Sequence, residues 1–361
     1  MGGLRVHNGM PSTARVSDDP LTTCCDVPMT AERLAKTKSI VISVALMVIA
    51  GFSPAIFMGA LGWKSAVSVA MLGGLATFLA CTMGRGWHTG IVLAVPFSIM
   101  TALTVWSAPY ALAAAIVLAA AAFMRGYAGK AGMQNAFLTT VIALGFTLAD
   151  PPKFSGSLPS PVIAGGIMLL TTLWVTLIVF VAQRWVHPPV LAPLGTSRVL
   201  WFSSILALMV AIAAWFVVDL SLGHGGGWII LTIVVVYQPN LGDGFKKAGS
   251  RALGTVIGFL IAIAVGAVVE NGPILYALGT VCMIAAMVVM LTGKPYWVFA
   301  ALLTPAIVLF ESAGSTVTKV ALQRLDATFI GVAIVLAFML VLVALNRLFG
   351  PKQASTSPAS A

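Results

Sequence analysis

The chain is dominated by long apolar runs that alternate with short polar stretches. A membrane helix needs about 20 apolar residues to cross a hydrocarbon core about 30 Å thick, and twelve runs meet or approach that length. The pattern predicts twelve membrane helices, with ten or eleven as the alternative because several runs are marginal. The predicted segments are Ile40–Leu61, Ala66–Met83, Thr89–Val105, Tyr110–Met124, Gln134–Leu148, Pro161–Ala182, Leu200–Val218, Trp228–Tyr237, Ala252–Val269, Ile274–Leu291, Tyr296–Phe310 and Ala321–Leu345.

The twelve segments fall into two groups of six with a similar order of helix and loop lengths. A shift of 164 residues brings Gly90 onto Gly254 and Thr140 onto Thr304. Two halves that each start on the same side of the membrane have parallel topology. We therefore expect an all-α, polytopic transmembrane protein of about twelve helices, built as two parallel six-helix repeats.

The domain boundaries follow the same pattern of polar and apolar stretches. A proline-rich stretch between the sixth and seventh segments stops one helix and makes a short linker. The polar ends of the chain lack the apolar residues that a packed core requires and are expected to be disordered, cytoplasmic tails. The expected units are a tail 1–33, a first membrane half 34–184, a linker 185–197, a second membrane half 198–349 and a tail 350–361.

Composition and charge support a membrane protein and argue against a soluble protein and against nucleic-acid binding. Only 8% of the residues are charged and the mean hydropathy is +1.04, whereas an average soluble domain carries about 25% charged residues. With the N-terminus in the cytoplasm, fourteen lysines and arginines fall on the inner side and four on the outer side. This positive-inside bias explains the net charge of +10 without nucleic acid. We expect a multi-pass protein of the plasma or inner membrane with both termini cytoplasmic.

Sequence motifs of catalysis are missing from the chain. It contains no Walker loop, HExxH sequence, Cys/His metal spacing or Ser-His-Asp order. No catalytic residue, metal site or cofactor is therefore expected, and the protein is not expected to be an enzyme. The expected partners are the lipid bilayer and a small solute, and a homo-oligomer is left open.

The stretch 237–258 contains the most informative residues. Lys246, Lys247 and Arg251 are predicted to lie in a short loop, and small residues then recur every four positions in the ninth segment, at Gly254 and Gly258 and beyond. Such a stripe lets a second helix approach closely within lipid. Basic groups at the mouth of a pathway attract carboxylates, and arginine can bind one bidentately. The alternative is that the basic residues only anchor the chain at the headgroups.

Two further places in the second half are candidates for the same pathway. Thr304 and Pro305 lie mid-helix, where a proline frees a backbone carbonyl; the alternative is a packing kink. Arg324 and Asp326 lie near the outer end of the twelfth segment, and ionisable residues in membrane segments are candidates for function. Arg324 is a candidate anion contact, and Asp326 is a candidate proton-coupling carboxylate provided that it is buried. The alternative is that both are interfacial residues.

Four stretches in this half resemble the fusaric acid resistance (FUSC-like) family, also described as aromatic acid exporters. They are YQPN at 237–240, SRALGTVIG at 250–258, KPYWVFAALLTP at 294–305 and QRLDATFIGVAI at 323–334. The resemblance is best over 210–345. It implies a membrane transporter that exports small organic anions, aromatic carboxylates in particular.

Two other functions are compatible with the sequence. The chain could be a passive anion channel of the plant malate-channel type, in which case flux would be ohmic rather than saturable. Alternatively it could be a non-transporting scaffold of the cell envelope, in which case neutralising Arg251 or Arg324 would leave export unchanged.

Overall fold

A computed structural model describes residues 28–155, 157–185, 192–269, 271–312 and 316–349. Side chains are described from residue 41 onward, except at 291, 346, 347 and 349. The larger compact unit of the chain begins at Ser39. The expected tail 350–361, residues 1–27 of the expected first tail and the linker residues 186–191 lie outside the described residues.

Within these ranges all regular secondary structure is helical, which confirms the all-α, twelve-helix prediction. A 3-10 turn, Ala128–Ala131, follows the fourth helix. The α-helices are α1 (Pro28–Ala60), α2 (Lys64–Met83), α3 (Trp87–Ser107), α4 (Ala111–Tyr127), α5 (Leu138–Ala149), α6 (Ser160–Val181), α7 (Thr196–Asp219), α8 (His224–Val236), α9 (Leu241–Val268), α10 (Gly272–Leu291), α11 (Tyr296–Glu311) and α12 (Val317–Phe349).

The helices differ in their ability to cross a bilayer. In the part of the chain that the structure describes, nine are long and apolar enough to do so. The other three, α5, α8 and α11, are apolar but have only 12, 13 and 16 residues. The chain is therefore a polytopic helical membrane protein in which three short helices pack among longer ones.

Helix α9 begins earlier than its apolar run indicates. Gln238 precedes a proline, which disfavours a helical backbone, and Asn240 is extended. The helix starts at Leu241, with Asp243 in its first turn, where a negative charge is favourable. The prediction of a basic loop before Ala252 is therefore wrong, because the basic residues lie on α9 itself.

Helix α8 lies at the centre of the bundle, packed against α5, α7, α9 and α12. Its residues from Gly226 to Val234 are all buried, so this stretch of the helix has no face toward lipid or water. Two glycines in its first turn make this possible. A Cβ on Gly226 would overlap Val217 of α7, and one on Gly227 would lie 2.5 Å from the Phe146 ring of α5.

A second helix approaches the small-residue stripe of α9 closely, as predicted, and at Gly254 and Gly258 that helix is α11. A Cβ added to Gly254 would lie 2.5 Å from the carbonyl oxygen of Trp297, and one added to Gly258 would lie 2.6 Å from Cβ of Thr304. Only glycine permits backbones to come this close. This contact fixes the face of α9 that meets α11 and leaves an adjacent face for α12.

Helices α9 and α12 run antiparallel along that adjacent face. The start of α9 meets the end of α12, since Gly244 contacts Met339, and the end of α9 meets the start of α12, since Gly266 contacts Val317. In both pairs the two residue numbers have the same sum, so this register puts Thr255 of α9 level with Thr328 of α12.

Several helix pairs recur between the two halves. The α2–α6, α2–α3 and α3–α6 contacts have counterparts six helices later in α8–α12, α8–α9 and α9–α12. Other pairs differ, because α11 packs far more extensively on α9 and α10 than α5 does on α3 and α4. The internal repeat therefore stays a prediction. The halves meet chiefly through α4 with α7 and α5 with α8.

Candidate anion site

Arg251 lies in the interior of the bundle. It is the eleventh residue of α9, and its side chain is only 1% exposed. Its Nη1 donates a hydrogen bond to the hydroxyl oxygen of Tyr296 at the start of α11, over 3.2 Å. Its Nε and Nη2 are buried and find no acceptor among the described residues. The expectation that Arg251 lies at a helix start is thus wrong, and two of its donors face inward unused.

Arg324 occupies a similar position on α12. It is also 1% exposed, and its guanidinium carbon lies 3.5 Å from the ring centroid of Trp228 on α8. Trp228 is held in turn by Phe146 of α5, edge to face at 4.3 Å between centroids. None of the three guanidinium nitrogens of Arg324 finds a hydrogen-bond acceptor among the described residues. The ring stabilises the charge from one face and leaves the edges of the guanidinium free.

Each of these arginines has a buried threonine one helical turn further along. Thr255 follows Arg251 on α9 and Thr328 follows Arg324 on α12, and neither hydroxyl has a hydrogen-bond partner in the part of the chain described. Sequence reasoning missed both threonines. The indication was present in the repeated spacing Arg-x-x-x-Thr, which reads RALGT at 251–255 and RLDAT at 324–328.

The two threonines lie at one level between the two arginines. The register of α9 and α12 puts Thr255 level with Thr328, while Arg251 and Arg324 lie about one turn away on opposite sides. The charges of the two arginines are close enough to interact. The arrangement is a row of inward-facing donors: guanidinium, two hydroxyls, guanidinium.

A third buried arginine, Arg125, lies at the end of α4. The sequence pattern places it in a cytoplasmic loop, but its side chain is 1% exposed. The guanidinium carbon lies 5.7 Å from the ring centroid of Phe202 on α7. Nε and Nη1 have no partner among the residues described. Sequence reasoning missed this residue because α4 continues past the predicted end at Met124 as far as Tyr127.

The two lysines of α9 have different surroundings. Lys246 is exposed, whereas Lys247 is half-buried, with its ammonium 5.6 Å from the ring centroid of Tyr296. Lys247 lies one turn before Arg251 on the same helix face, and the charge of Arg125 acts on it. The structure therefore groups Lys247 with the buried arginines and leaves Lys246 at the surface.

Among the described residues, no carboxylate forms an ion pair with a buried arginine. Removing an isolated charge from water costs several kcal/mol unless it is paired. Across the described ranges the one ion pair joins His224 and Asp150, which are 61% and 63% exposed. Glu311, at the end of α11, acts on Arg324 only at longer range. Three buried guanidinium groups with free donors are chemically suited to bind an anion.

Comparison with protein families identifies this part of the chain. Residues 208–338 match the profile of the fusaric acid resistance protein-like family. No curated protein and no solved structure matches the chain.

The similarity of residues 208–338 to the fusaric acid resistance protein-like family indicates membrane transport or efflux in general terms. The matched segment begins within α7 and ends within α12, so it contains Arg251, Thr255, Arg324 and Thr328. Arg125 lies outside it. The candidate site thus combines residues of the family domain with one from the first half of the chain.

Four predicted path residues of the matched segment 208–338 lie in a packed contact instead of along a passage. Gly254 and Gly258 press against α11, and Thr304 and Pro305 face them. The Thr304 hydroxyl donates to the carbonyl oxygen of Ala300 over 2.9 Å, so it is already satisfied. In this conformation these residues hold α9 and α11 together, and their lining of a substrate path stays a prediction.

Asp326 does not have the burial that its predicted role assumed. It is exposed on α12, two residues beyond the buried Arg324. Positions two apart on a helix do not share a face, which explains why one side chain enters the bundle and the other leaves it. The assumption of burial is wrong, and a proton-coupling role for Asp326 stays a prediction.

Proposed function

We propose that this protein is a membrane transporter that exports small organic anions, with aromatic carboxylates as its substrate class. The observation that carries the proposal is the set of three fully buried arginines whose free N–H groups have no partner in the described residues. An anion that neutralises them removes the cost of burying unpaired charge. The family match supports transport in general.

The geometry around Arg251 and Arg324 suits a carboxylate. A guanidinium edge offers two parallel donors that match the two oxygens of a carboxylate, and both arginines keep at least two nitrogens free in the part of the chain described. The hydroxyls of Thr255 and Thr328 add donors between them. A carboxylate bound here exchanges its hydration shell for fixed donors.

Aromatic side chains beside the cations support an aromatic substrate. Tyr296 lies between Lys247 and Arg251, and Trp228 lies beneath Arg324. Aromatic rings attract one another in offset or edge-to-face contacts. A benzoate-like anion can therefore present its carboxylate to an arginine and its ring to these side chains.

The proposed location is the plasma or inner membrane, with both termini in the cytoplasm. The count of basic residues needs correction, because three arginines counted at the membrane surfaces are buried in the bundle. Without them the bias is twelve inner against three outer lysines and arginines, which still obeys the positive-inside rule. Reporter fusions at each terminus test the orientation.

The proposal is tested by accumulation of labelled 4-hydroxybenzoate in cells with and without the protein. Export predicts lower accumulation with the wild-type chain and restored accumulation with Arg251→Gln. Lys246→Gln, which removes an exposed charge from the same helix, serves as the matched control and is expected to behave as wild type. Equal accumulation across a panel of aromatic acids would refute the substrate class, and ohmic currents without saturation would indicate a channel.

A further inference from the structure

The turn of α8 that carries Trp228 has little helical stability of its own. Three consecutive glycines, 225–227, precede the tryptophan at the start of α8, and glycine is a poor helix former because it loses the most backbone freedom. Trp228 is nevertheless only 6% exposed and lies 3.5 Å from the guanidinium carbon of Arg324. Contacts from other helices must therefore fix its position.

Helix α5 of the first half supplies such a contact. The ring of Phe146 meets the ring of Trp228 edge to face, with 77° between the planes and 4.3 Å between the centroids. The same ring covers Gly227, where an added Cβ would lie 2.5 Å from it. Glycine at position 227 thus admits the Phe146 ring to the backbone of α8, and the ring then holds the neighbouring Trp228.

The contact of α5 with α8 extends on both sides of this aromatic pair. A Cβ added to Gly145 would lie 2.7 Å from Ile230, and one turn beyond Phe146 the Asp150 carboxylate pairs with His224 over 3.6 Å. The residue numbers of the Phe146–Trp228 and Asp150–His224 pairs have the same sum, as expected for one register along two antiparallel helices. Phe146 is therefore held in place by a continuous helix contact.

Arg324 depends on Trp228 for its orientation. None of its three guanidinium nitrogens has an acceptor among the described residues, so no hydrogen bond there fixes its plane. At 3.5 Å from the ring centroid a planar group has no room to stand on edge, because its nitrogens would enter the ring. The guanidinium therefore lies flat on the indole, which attracts it electrostatically, and its edges offer parallel donors to a carboxylate.

We propose that Phe146 is a positioning residue of the anion site, which acts through Trp228 to orient the guanidinium of Arg324 toward the bound carboxylate. This inference rests on the proposed function. Phe146 lies outside the matched residues 208–338, and it does not itself touch the anion. The first half of the chain therefore sets the affinity of a site whose arginine belongs to the second half.

The test is equilibrium binding of labelled benzoate to the full-length chain in nanodiscs. Phe146→Leu is expected to weaken binding about fivefold, the effect of one aromatic pair. Trp228→Leu is expected to weaken it about thirtyfold, the effect of one desolvated cation–π contact. In the Arg324→Gln background neither substitution should weaken the residual binding by Arg251 further, because no guanidinium is left to orient.

A spectroscopic measurement that needs no ligand separates positioning from a general loss of packing. The chain is labelled with 5-fluorotryptophan, and the ¹⁹F NMR resonance of Trp228 is assigned by its absence from Trp228→Phe. Arg324→Gln is expected to shift this resonance, because it removes the group that lies on the indole. In the Phe146→Leu background the same substitution is expected to produce a smaller shift, because the indole and the guanidinium are no longer held together.

Matched controls remove other contacts of the same helices. Phe123→Leu removes a half-buried ring of the first half that packs on Tyr127 of its own helix, with centroids 6.3 Å apart. His224→Gln removes the exposed ion pair between α5 and α8, which is weak in water. Both are expected to keep benzoate affinity within about twofold of wild type. Phe146→Met, which removes the ring and keeps an apolar side chain, is the second variant if Phe146→Leu does not fold.

The outcomes separate the two proposals. Equal weakening by Phe146→Leu in the wild-type and Arg324→Gln backgrounds, with an equal shift of the Trp228 resonance in both, would overturn the positioning role and leave the proposed function standing. Wild-type affinity in Phe146→Leu and Phe146→Met would do the same. No benzoate binding by the wild-type chain would overturn the proposed function and this inference with it.

Discussion

Two adjacent faces of α9 have opposite characters. One face, with Gly254 and Gly258, meets α11 at backbone distance and has no room for a methyl group. The other, with Arg251 and Thr255, is equally buried but carries polar atoms that find no partner in the described residues. Gly254 and Thr255 are neighbours in sequence, so a rotation of about 100° around the helix separates a fully packed surface from an unsatisfied one.

The difference shows how a membrane helix can hold a charge in place. Close packing of α9 on α11 fixes the rotation of α9, and that rotation keeps Arg251 inside the bundle, where it bonds Tyr296 of α11, instead of turning it toward lipid. The cost of an unpaired buried cation is several kcal/mol, so it persists only in a scaffold stable enough to bear it. We infer that the glycine face provides stability and the arginine face provides binding.

The largest expected effect comes from removing the charges of the polar face. Arg251→Gln and Arg324→Gln are each expected to reduce 4-hydroxybenzoate flux in proteoliposomes roughly a hundredfold, since each guanidinium can supply two charge-assisted hydrogen bonds. Stability should be equal to that of wild type or higher, because the substitution removes an unpaired buried charge. Flux and thermal unfolding are measured on the same preparations.

A loss of stability in parallel with flux, in either arginine variant, would contradict the assignment of stability to the glycine face and of binding to the arginine face. That result would mean that the guanidinium holds the bundle together and that its free donors are bonded in the protein as it exists in a membrane.

The glycine face is expected to respond in the opposite way. In Gly254→Ala the new Cβ would lie 2.5 Å from the carbonyl oxygen of Trp297, a backbone atom that cannot move aside cheaply. We expect a loss of about 1–3 kcal/mol in stability, measured by thermal unfolding, with substrate affinity unchanged in the folded fraction.

Gly249→Ala is the matched control on the same helix. Gly249 is exposed and a Cβ there would meet nothing within 4 Å, so the better helix propensity of alanine should leave stability equal or slightly higher. Equal behaviour of the two variants would show that the α9–α11 contact is looser than described.

A smaller effect is expected from the threonine hydroxyls. Thr255→Val and Thr328→Val keep the side-chain shape and remove a hydroxyl without a partner among the described residues. Each is expected to raise the half-saturating concentration of 4-hydroxybenzoate about fivefold, the effect of one neutral hydrogen bond. Thr304→Val is the control, because its hydroxyl is bonded to Ala300 within its own helix. An equal shift in the control would remove the threonines from the site.

The sequence predicts the helices and the glycine contact well, because both depend on local patterns of size and polarity. It predicts the site less well. Arg251 and Arg324 are recognisable as candidates, but their burial depends on helix rotation and on where α9 begins. Arg125 is indistinguishable from a positive-inside loop residue until α4 is seen to pack on α7. Pairings between the halves are tertiary, and no spacing within one segment encodes them.

The smallest expected effect is that of Asp326→Asn. Asp326 is exposed on α12 while Arg324, two residues before it, is buried. Its carboxylate lies outside the bundle, so it has no contact through which to exchange a proton with the buried row of donors. We expect flux within about twofold of wild type and an unchanged dependence on a pH gradient, measured in proteoliposomes that impose inner and outer pH separately. A variant that keeps substrate binding but loses its response to the gradient would restore the proton-coupling role, and it would require Asp326 to turn inward in another conformation of α12. The set of α12 side chains that are buried would then differ between two conformations of the transport cycle.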